Sequence, residues 1–357
     1  MQPQAPAAPP PGAQPAPPPA APPPAAQTPQ RPGTPPPQPG PAVTTQPSTP
    51  GVTPNRPDAR RLDELRSLRQ QQQVGNRTII QEPGRTIIRE GNRTIIRQDE
   101  AERFRRNARD VQVMRRGANT ETVIIRSDGS RIVSVVDDNG RLIRRVRRDP
   151  VGREIVIIDS RPRGPGFVGI PLVTLPPPVW RIPRERYIVE AESADQALIY
   201  ETLVAPPVDR LARAYSLEEI RYSPGLRDRM RRVDIDTLTF ETGSWEITPD
   251  QAQALAVIAQ AMLQAIQRNP RTVFLIEGHT DAVGQDDDNL SLSDRRAEAV
   301  AQALSDQFGV PPENLVTQGY GEQYLKIPVQ EAERRNRRVA VRNITPLMTG
   351  QAAVAPR

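Results

Sequence analysis

The chain has no cysteine. That excludes a disulfide scaffold, a zinc–thiolate site, a catalytic thiol and a lipid-bearing cysteine in the sequence as written. Its single histidine, His279, excludes a multi-histidine metal centre, and no metal or cofactor is expected. Aromatic residues are 4% of the chain and the mean hydropathy is −0.58. No stretch reaches the roughly 18 consecutive apolar residues of a membrane helix. The nearest, Gly166 to Trp180, is broken by Pro171, Pro176, Pro177 and Pro178. The N-terminus lacks the basic start and apolar run of a secretory leader. It is read as a processed form, a mis-assigned start, or a protein that stays inside.

What is abundant is proline, 42 residues in 357, of which 23 fall in residues 1–60. A single 357-residue globule is therefore excluded, because residues 1–60 carry too little apolar surface to offset their ordering entropy. They are expected to be a disordered Pro/Ala-rich spacer of polyproline II character, or else a ligand for a proline-recognising groove.

The net charge of +6 is unevenly placed: +2 for residues 1–60, +9 for 61–180 and −5 for 181–357. Of 48 basic residues only Lys326 is not arginine, a skew expected of codon bias. Residues 61–165 form an Arg-rich region. Within it Asn76-Arg77-Thr78-Ile79-Ile80 recurs as Gly84-Arg85-Thr86-Ile87-Ile88 and Asn92-Arg93-Thr94-Ile95-Ile96, so octapeptide repeats span 76–98. Five β-formers and three turn residues per repeat predict a hairpin meander. Further strands are predicted at 122–126, 131–136, 141–146 and 154–158, separated by Asp128-Gly129, Asn139-Gly140 and Val151-Gly152. With almost no aromatic residues to seed a core, this region reads as a solvated, weakly ordered ribbon. The alternatives are an assembly surface or a patch for nucleic acid or another anionic polymer. Base stacking needs interleaved aromatics, which are missing, so no nucleic-acid partner is expected.

Residues 166–231 read as a connector with helices at 193–203 and 207–215. From 232 to 347 the signals become regular. Val233, Ile235, Leu238 and Phe240 predict a strand. Thr248-Pro249-Asp250-Gln251 is a helix start with a capping box, followed by Leu255, Ile258, Met262 and Ile266 on one face. Val273 to Ile276 predicts a central strand. Ser293 is taken as the cap of a second helix, and Gly309 as its stop. Strands at 315–317 and 338–342 complete a β-α-β-α-β-β order. The predicted class is α+β, a mixed sheet with two helices on one face. Residues 348–357 are expected to be a flexible tail.

Chemistry is expected around Gly278-His279-Thr280-Asp281. Asp281 follows the central strand, and Arg296 lies in what reads as the first turn of the next helix. Both are placed at one sheet edge, outside the core. A carboxylate and a guanidinium held apart there match a zwitterion, the acid taking an ammonium and the fork a carboxylate. Alternatively they simply pair with each other. A hydrolytic triad of His279, Asp281 and Ser291 lacks a nucleophile elbow. A calcium loop from Asp281, Asp286 and Asp288 lacks the required spacing and closing glutamate. No enzyme is expected.

Four blocks in order then resemble the OmpA C-terminal-like peptidoglycan-binding domain of envelope proteins. They are Gly278-His279-Thr280-Asp281-x-x-Gly284, Asn289-x-x-Leu292-Ser293-x-x-Arg296-Ala297, Gly319-Tyr320-Gly321-Glu322 and Asn336-Arg337-Arg338-Val339. The resemblance covers about 115 residues. It implies that Asp281 and Arg296 hold the diaminopimelate of the stem peptide, with Thr280, Asn289 and Arg337 lining the pocket. It further implies a non-enzymatic, periplasm-facing protein, associated with the outer membrane, that tethers the envelope. Outer-membrane components are expected partners of the N-terminal half. Asp288 departs from the family pattern, standing where an aromatic residue is usual and adding negative charge beside the pocket.

Overall fold

The structure is a computed structural model that describes residues 61–91, 93–106, 108–161, 173–179, 181–238 and 240–350. The expectations for residues 1–60 and for the tail beyond residue 350 fall outside the described residues. Those described belong to one compact unit. No helix among them is long and apolar enough to cross a membrane.

Helix α1 (Leu62–Leu68) leads into an antiparallel meander, β1 (Gln70–Val74), β2 (Arg77–Glu82), β3 (Arg85–Glu90) and β4 (Arg93–Gln98), in sequential order. The repeats are β2 to β4, as their composition predicts. Antiparallel pairing sets the second isoleucine of one repeat opposite the first of the next. Ile80 therefore faces Ile87, which faces Ile96. This buried row closes on Leu290 of the C-terminal region.

Helix α2 (Ala101–Arg105) joins this sheet to a second meander, β5 (Ala108–Arg116), β6 (Asn119–Arg126), β7 (Arg131–Asp137), β8 (Leu142–Arg148) and β9 (Glu154–Asp159). Gly129 and Gly140 turn with φ of 81° and 71°, a region open to glycine without steric cost. The weakly ordered ribbon is thus replaced by two sheets. Phe104 seeds a small core with Ile124 and Ile132. The C-terminal region supplies further apolar partners and some of the counter-charges.

The third sheet is mixed, in the order β10-β11-β14-β12-β13. It begins in the supposed connector: helix α3 (Arg184–Tyr187) runs into β10 (Ile188–Glu190), and helix α4 (Gln196–Val204) covers the sheet. The helix predicted at 207–215 does not form. The chain turns helical only after Ser216, whose capping box with Glu219 starts α5 (Leu217–Tyr222), followed by α6 (Pro224–Arg227). β11 is Arg232–Ile235, ending short of Leu238 and Phe240. Thr248 caps α7 (Pro249–Gln253) by the predicted box, and α8 (Ala256–Arg268) follows as a separate helix. Then come β12 (Phe274–Gly278), α9 (Asp286–Phe308), β13 (Leu315–Gly319), β14 (Val339–Asn343) and α10 (Thr345–Thr349), which includes the first two residues of the supposed tail.

From residue 232 onward this is the predicted order, an α+β fold on a mixed sheet. The sheet is buried on both faces. Phe274, Ile276, Val339 and Val341 meet α4, α8 and α9, three helices rather than two. Leu275 and Val316 meet Leu217, Ile220, Leu347 and, from the second meander, Leu142, Ile157 and Ile158. β8 and β9 therefore supply part of the wall that shields the second face.

Candidate functional site

The site is organised by α9 and the strands beneath it. The helix begins at Asp286, not near Ser293, because three carboxylates, Asp286 to Asp288, sit favourably at the positive end of the helix dipole. Arg296 is consequently three turns in. Ser293 is buried mid-helix, its hydroxyl donating to the Leu290 carbonyl and accepting from the Gly321 N–H. The helix lies on glycine. A Cβ on Gly278 would sit 1.8 Å from the Ser293 carbonyl oxygen, and one on Gly319 would sit 2.4 Å from the Asp294 nitrogen. This close approach fixes how far α9 stands from the ends of β12 and β13.

The five expected residues converge on one flank of α9 and the loop after β12. Asp281 pairs with Arg337 at 2.6 Å, not with Arg296. The Arg296 side chain donates from Nε to the Ser244 carbonyl at 3.0 Å and from Nη2 to the Glu241 carbonyl at 3.3 Å. Its guanidinium stands 4.8 Å from the Phe240 ring centre. Arg296 is only 1% exposed, yet its Nη1 has no partner. Burial, reinforced by the Arg337 cation and opposed by Asp281, lowers its pKa to about 10, so it stays charged at neutral pH. The Asn289 amide donates to the Val283 carbonyl at 3.2 Å and to Glu322 at 2.7 Å, bracing the loop behind Asp281. The Thr280 N–H donates to the Gly321 carbonyl, and its buried hydroxyl is unpartnered.

The site thus contains a carboxylate shared with one arginine, and a second arginine with a free donor, held by carbonyls rather than by a counter-charge. The expectation of a surface edge outside the core is corrected: Asp281 and Arg296 are both buried. The expected charge of Asp288 beside the pocket is corrected too. Its side chain is turned away and is held by Arg66 at 2.6 Å and Arg69 at 2.5 Å. Burial works against ionisation of Asp288, but hydrogen bonds from Arg66 and Arg69 hold its pKa below the usual carboxylate value.

His279 lies inside the fold. It is 3% exposed and stacked on Tyr320 with ring centres 5.6 Å apart, and burial lowers its pKa to about 3. Ser291 donates to Glu82, so the imagined triad does not assemble. Among the described residues no cluster of acidic or histidine side chains suits a metal ion.

The opposite flank of α9 is covered by the basic middle. Arg85 pairs with Asp294 at 2.7 Å, Arg89 with Asp287 at 2.5 Å, and Arg103 with Glu298 at 2.8 Å. Glu82 reciprocates by accepting from Arg295 at 3.3 Å. Further round, Arg97 meets Glu218, and Arg126 and Arg147 both meet Glu313. The charge asymmetry in the sequence is thus in large part an internal complementarity. Sequence reasoning missed these contacts because each partner lies roughly 100–200 residues away along the chain.

Known proteins resemble the region that carries these residues. Residues 239–338 match the model of the OmpA family. The putative lipoprotein YfiB of Escherichia coli K12 is 34% identical over 113 residues, which are 31% of this chain and 68% of that protein. The peptidoglycan-associated lipoprotein of Agrobacterium fabrum is 36% identical over 88 residues, 25% of this chain and 47% of that one. Among solved structures, the peptidoglycan-associated lipoprotein of Burkholderia pseudomallei aligns with 28% identity and a TM-score of 0.25, over 29% of this chain and 84% of that one. The chain spans about half to two thirds of the length of most such relatives.

Proposed function

The chain belongs to the OmpA family, and from that premise we propose that it is a non-enzymatic cell-envelope protein that binds peptidoglycan. The pocket around Asp281 and Arg296 takes the diaminopimelate of the stem peptide, on the periplasmic side of the outer membrane. The observation that carries this reading is the pairing of opposite needs in one buried place. Asp281 is a carboxylate that can accept from an ammonium while Arg337 stays beside it. Arg296 has an unpartnered Nη1 and no carboxylate of its own among its hydrogen-bond partners. A buried donor without an acceptor is costly, about 1–3 kcal/mol, and a ligand carboxylate relieves that cost. Diaminopimelate presents an ammonium and a carboxylate on one carbon, and so answers both groups at once. The Thr280 hydroxyl, on the residue before Asp281, is likewise buried and unpartnered. A printed name among the relatives supports the reading, since the Agrobacterium fabrum protein is a peptidoglycan-associated lipoprotein.

The test is sedimentation of the full chain with purified diaminopimelate-type peptidoglycan, competed by a soluble fragment carrying the diaminopimelate stem. Co-sedimentation that the fragment competes away is the expected result. Sedimentation that survives excess fragment would show that the pocket is not the point of attachment.

A further inference from the structure

We propose that residues 61–69, which lie outside the family module, are positioning residues for that pocket. They act through the loop that holds Arg296, and the inference rests on the pocket reading above. The two carbonyls that orient the Arg296 guanidinium belong to Glu241 and Ser244. This loop is itself pinned by α1. The Leu62 N–H donates to the Gly243 carbonyl at 2.8 Å, and Arg61 pairs with Ser244 in an isolated antiparallel bridge. The Arg61 side chain lies 3.6 Å from Glu241. A Cβ on Gly243 would stand 3.6 Å from the Leu62 Cβ, so helix and loop are in van der Waals contact.

The other end of the same segment grips α9. Arg66 and Arg69 both bind Asp288, the residue before Asn289, and Arg69 also binds Glu82 of the meander. Leu65, fully buried between these two attachments, holds the helix down. One seven-residue helix therefore fastens both supports of the ligand pocket without contributing a side chain to it. Freed from α1, residues 241–244 lose the backbone bridge and its Leu62–Gly243 hydrogen bond, and the carbonyls that aim Arg296 lose their fixed direction. This also accounts for Asp288, whose departure from the family pattern supplies the anchor for Arg66 and Arg69.

The experiment is calorimetric titration of the full chain with the soluble diaminopimelate-stem fragment, for the wild type, Leu65→Ala and Arg66→Ala. Arg66 is half exposed, so its substitution loosens the latch without hollowing the interior. Both variants are expected to bind about tenfold more weakly, the equivalent of one charge-assisted hydrogen bond. Leu65→Met should restore affinity. The decisive arm repeats Leu65→Ala in an Arg296→Lys background, where a lysine can no longer bridge both carbonyls. If α1 acts through Arg296, the second substitution adds little there. Unchanged affinity in both single variants overturns the proposal, and so does an equal loss in the Arg296→Lys background. A wild-type chain that does not bind the fragment at all overturns the pocket reading, and this inference with it.

Discussion

Replacing Arg296 by alanine separates the ligand-binding role proposed for this residue from its structural one. On the ligand side the substitution removes the free Nη1 donor. A hydrogen bond to a charged group contributes about 1.5–3 kcal/mol. At 1.4 kcal/mol per decade this is a loss of roughly 10- to 150-fold in affinity. On the structural side the carbonyls of Ser244 and Glu241 lose their donors and Phe240 loses a cation at 4.8 Å. Relief of the strained burial of Arg296 offsets part of that. A net destabilisation of about 2 kcal/mol is expected, or roughly 4–8 °C in melting temperature at 2–4 °C per kcal/mol.

Asp281→Asn is the comparator. It keeps an acceptor for both Arg337 and a ligand ammonium and loses only the charge. Charge-assisted bonds are about twice as strong as neutral ones, so roughly 3- to 12-fold weaker binding is expected. Calorimetry with the diaminopimelate-stem fragment and a thermal melt measure both effects. The reasoning is refuted if Arg296→Ala binds as well as wild type, or if Asp281→Asn is the more damaging change while both remain folded.

Three further outcomes are expected. Because His279 is buried with a pKa lowered to about 3 from about 6.5, the unfolded chain binds the extra proton and stability rises with pH between those values. As His279 is the sole histidine, His279→Gln should flatten the dependence between pH 5 and 6, where its slope is at most about 1.4 kcal/mol per unit. Gly278→Ala should damage both fold and binding, seen as a lower melting temperature and lost co-sedimentation, since its Cβ would meet the Ser293 carbonyl oxygen at 1.8 Å and push α9 off the sheet. Arg145→Met should cost about 3–5 kcal/mol, because Arg145 is buried against Glu100, the Leu315 carbonyl and the Phe104 ring, and the Glu100 carboxylate would lose one of its arginine partners. Limited proteolysis should then cut within residues 61–161, which in the wild type are expected to stay with the resistant C-terminal fragment; release of those residues from the wild type would contradict the observed packing.

Local sequence alone determined much of this protein. The octapeptide period specified the meander of β2 to β4, because alternation and turn residues act over a few positions. The capping box at Thr248 and Gln251, the stop at Gly309 and the apolar run through Ile276 placed α7, the end of α9 and β12 for the same reason. The ordered blocks around Asp281, Asn289, Gly319 and Arg337 carried the family resemblance, and through it pointed to residues that the structure gathers beside α9. Only the tertiary structure decided who pairs with whom. Asp281 and Arg296 are 15 residues apart and look like partners, yet Arg337 takes the carboxylate, since β14 lies beside β12 in the sheet. Arginines such as Arg85, Arg103 and Arg126 read as solvated charge because their carboxylates lie far along the chain and meet them only after the sheets dock. Ser293 has the chemistry of a helix cap, but three aspartates upstream start the helix earlier, and Gly278 and Gly319 let its backbone sink onto the strands. Ion-pair choice and close packing are set by proximity in space, and neither leaves a periodic mark along the chain.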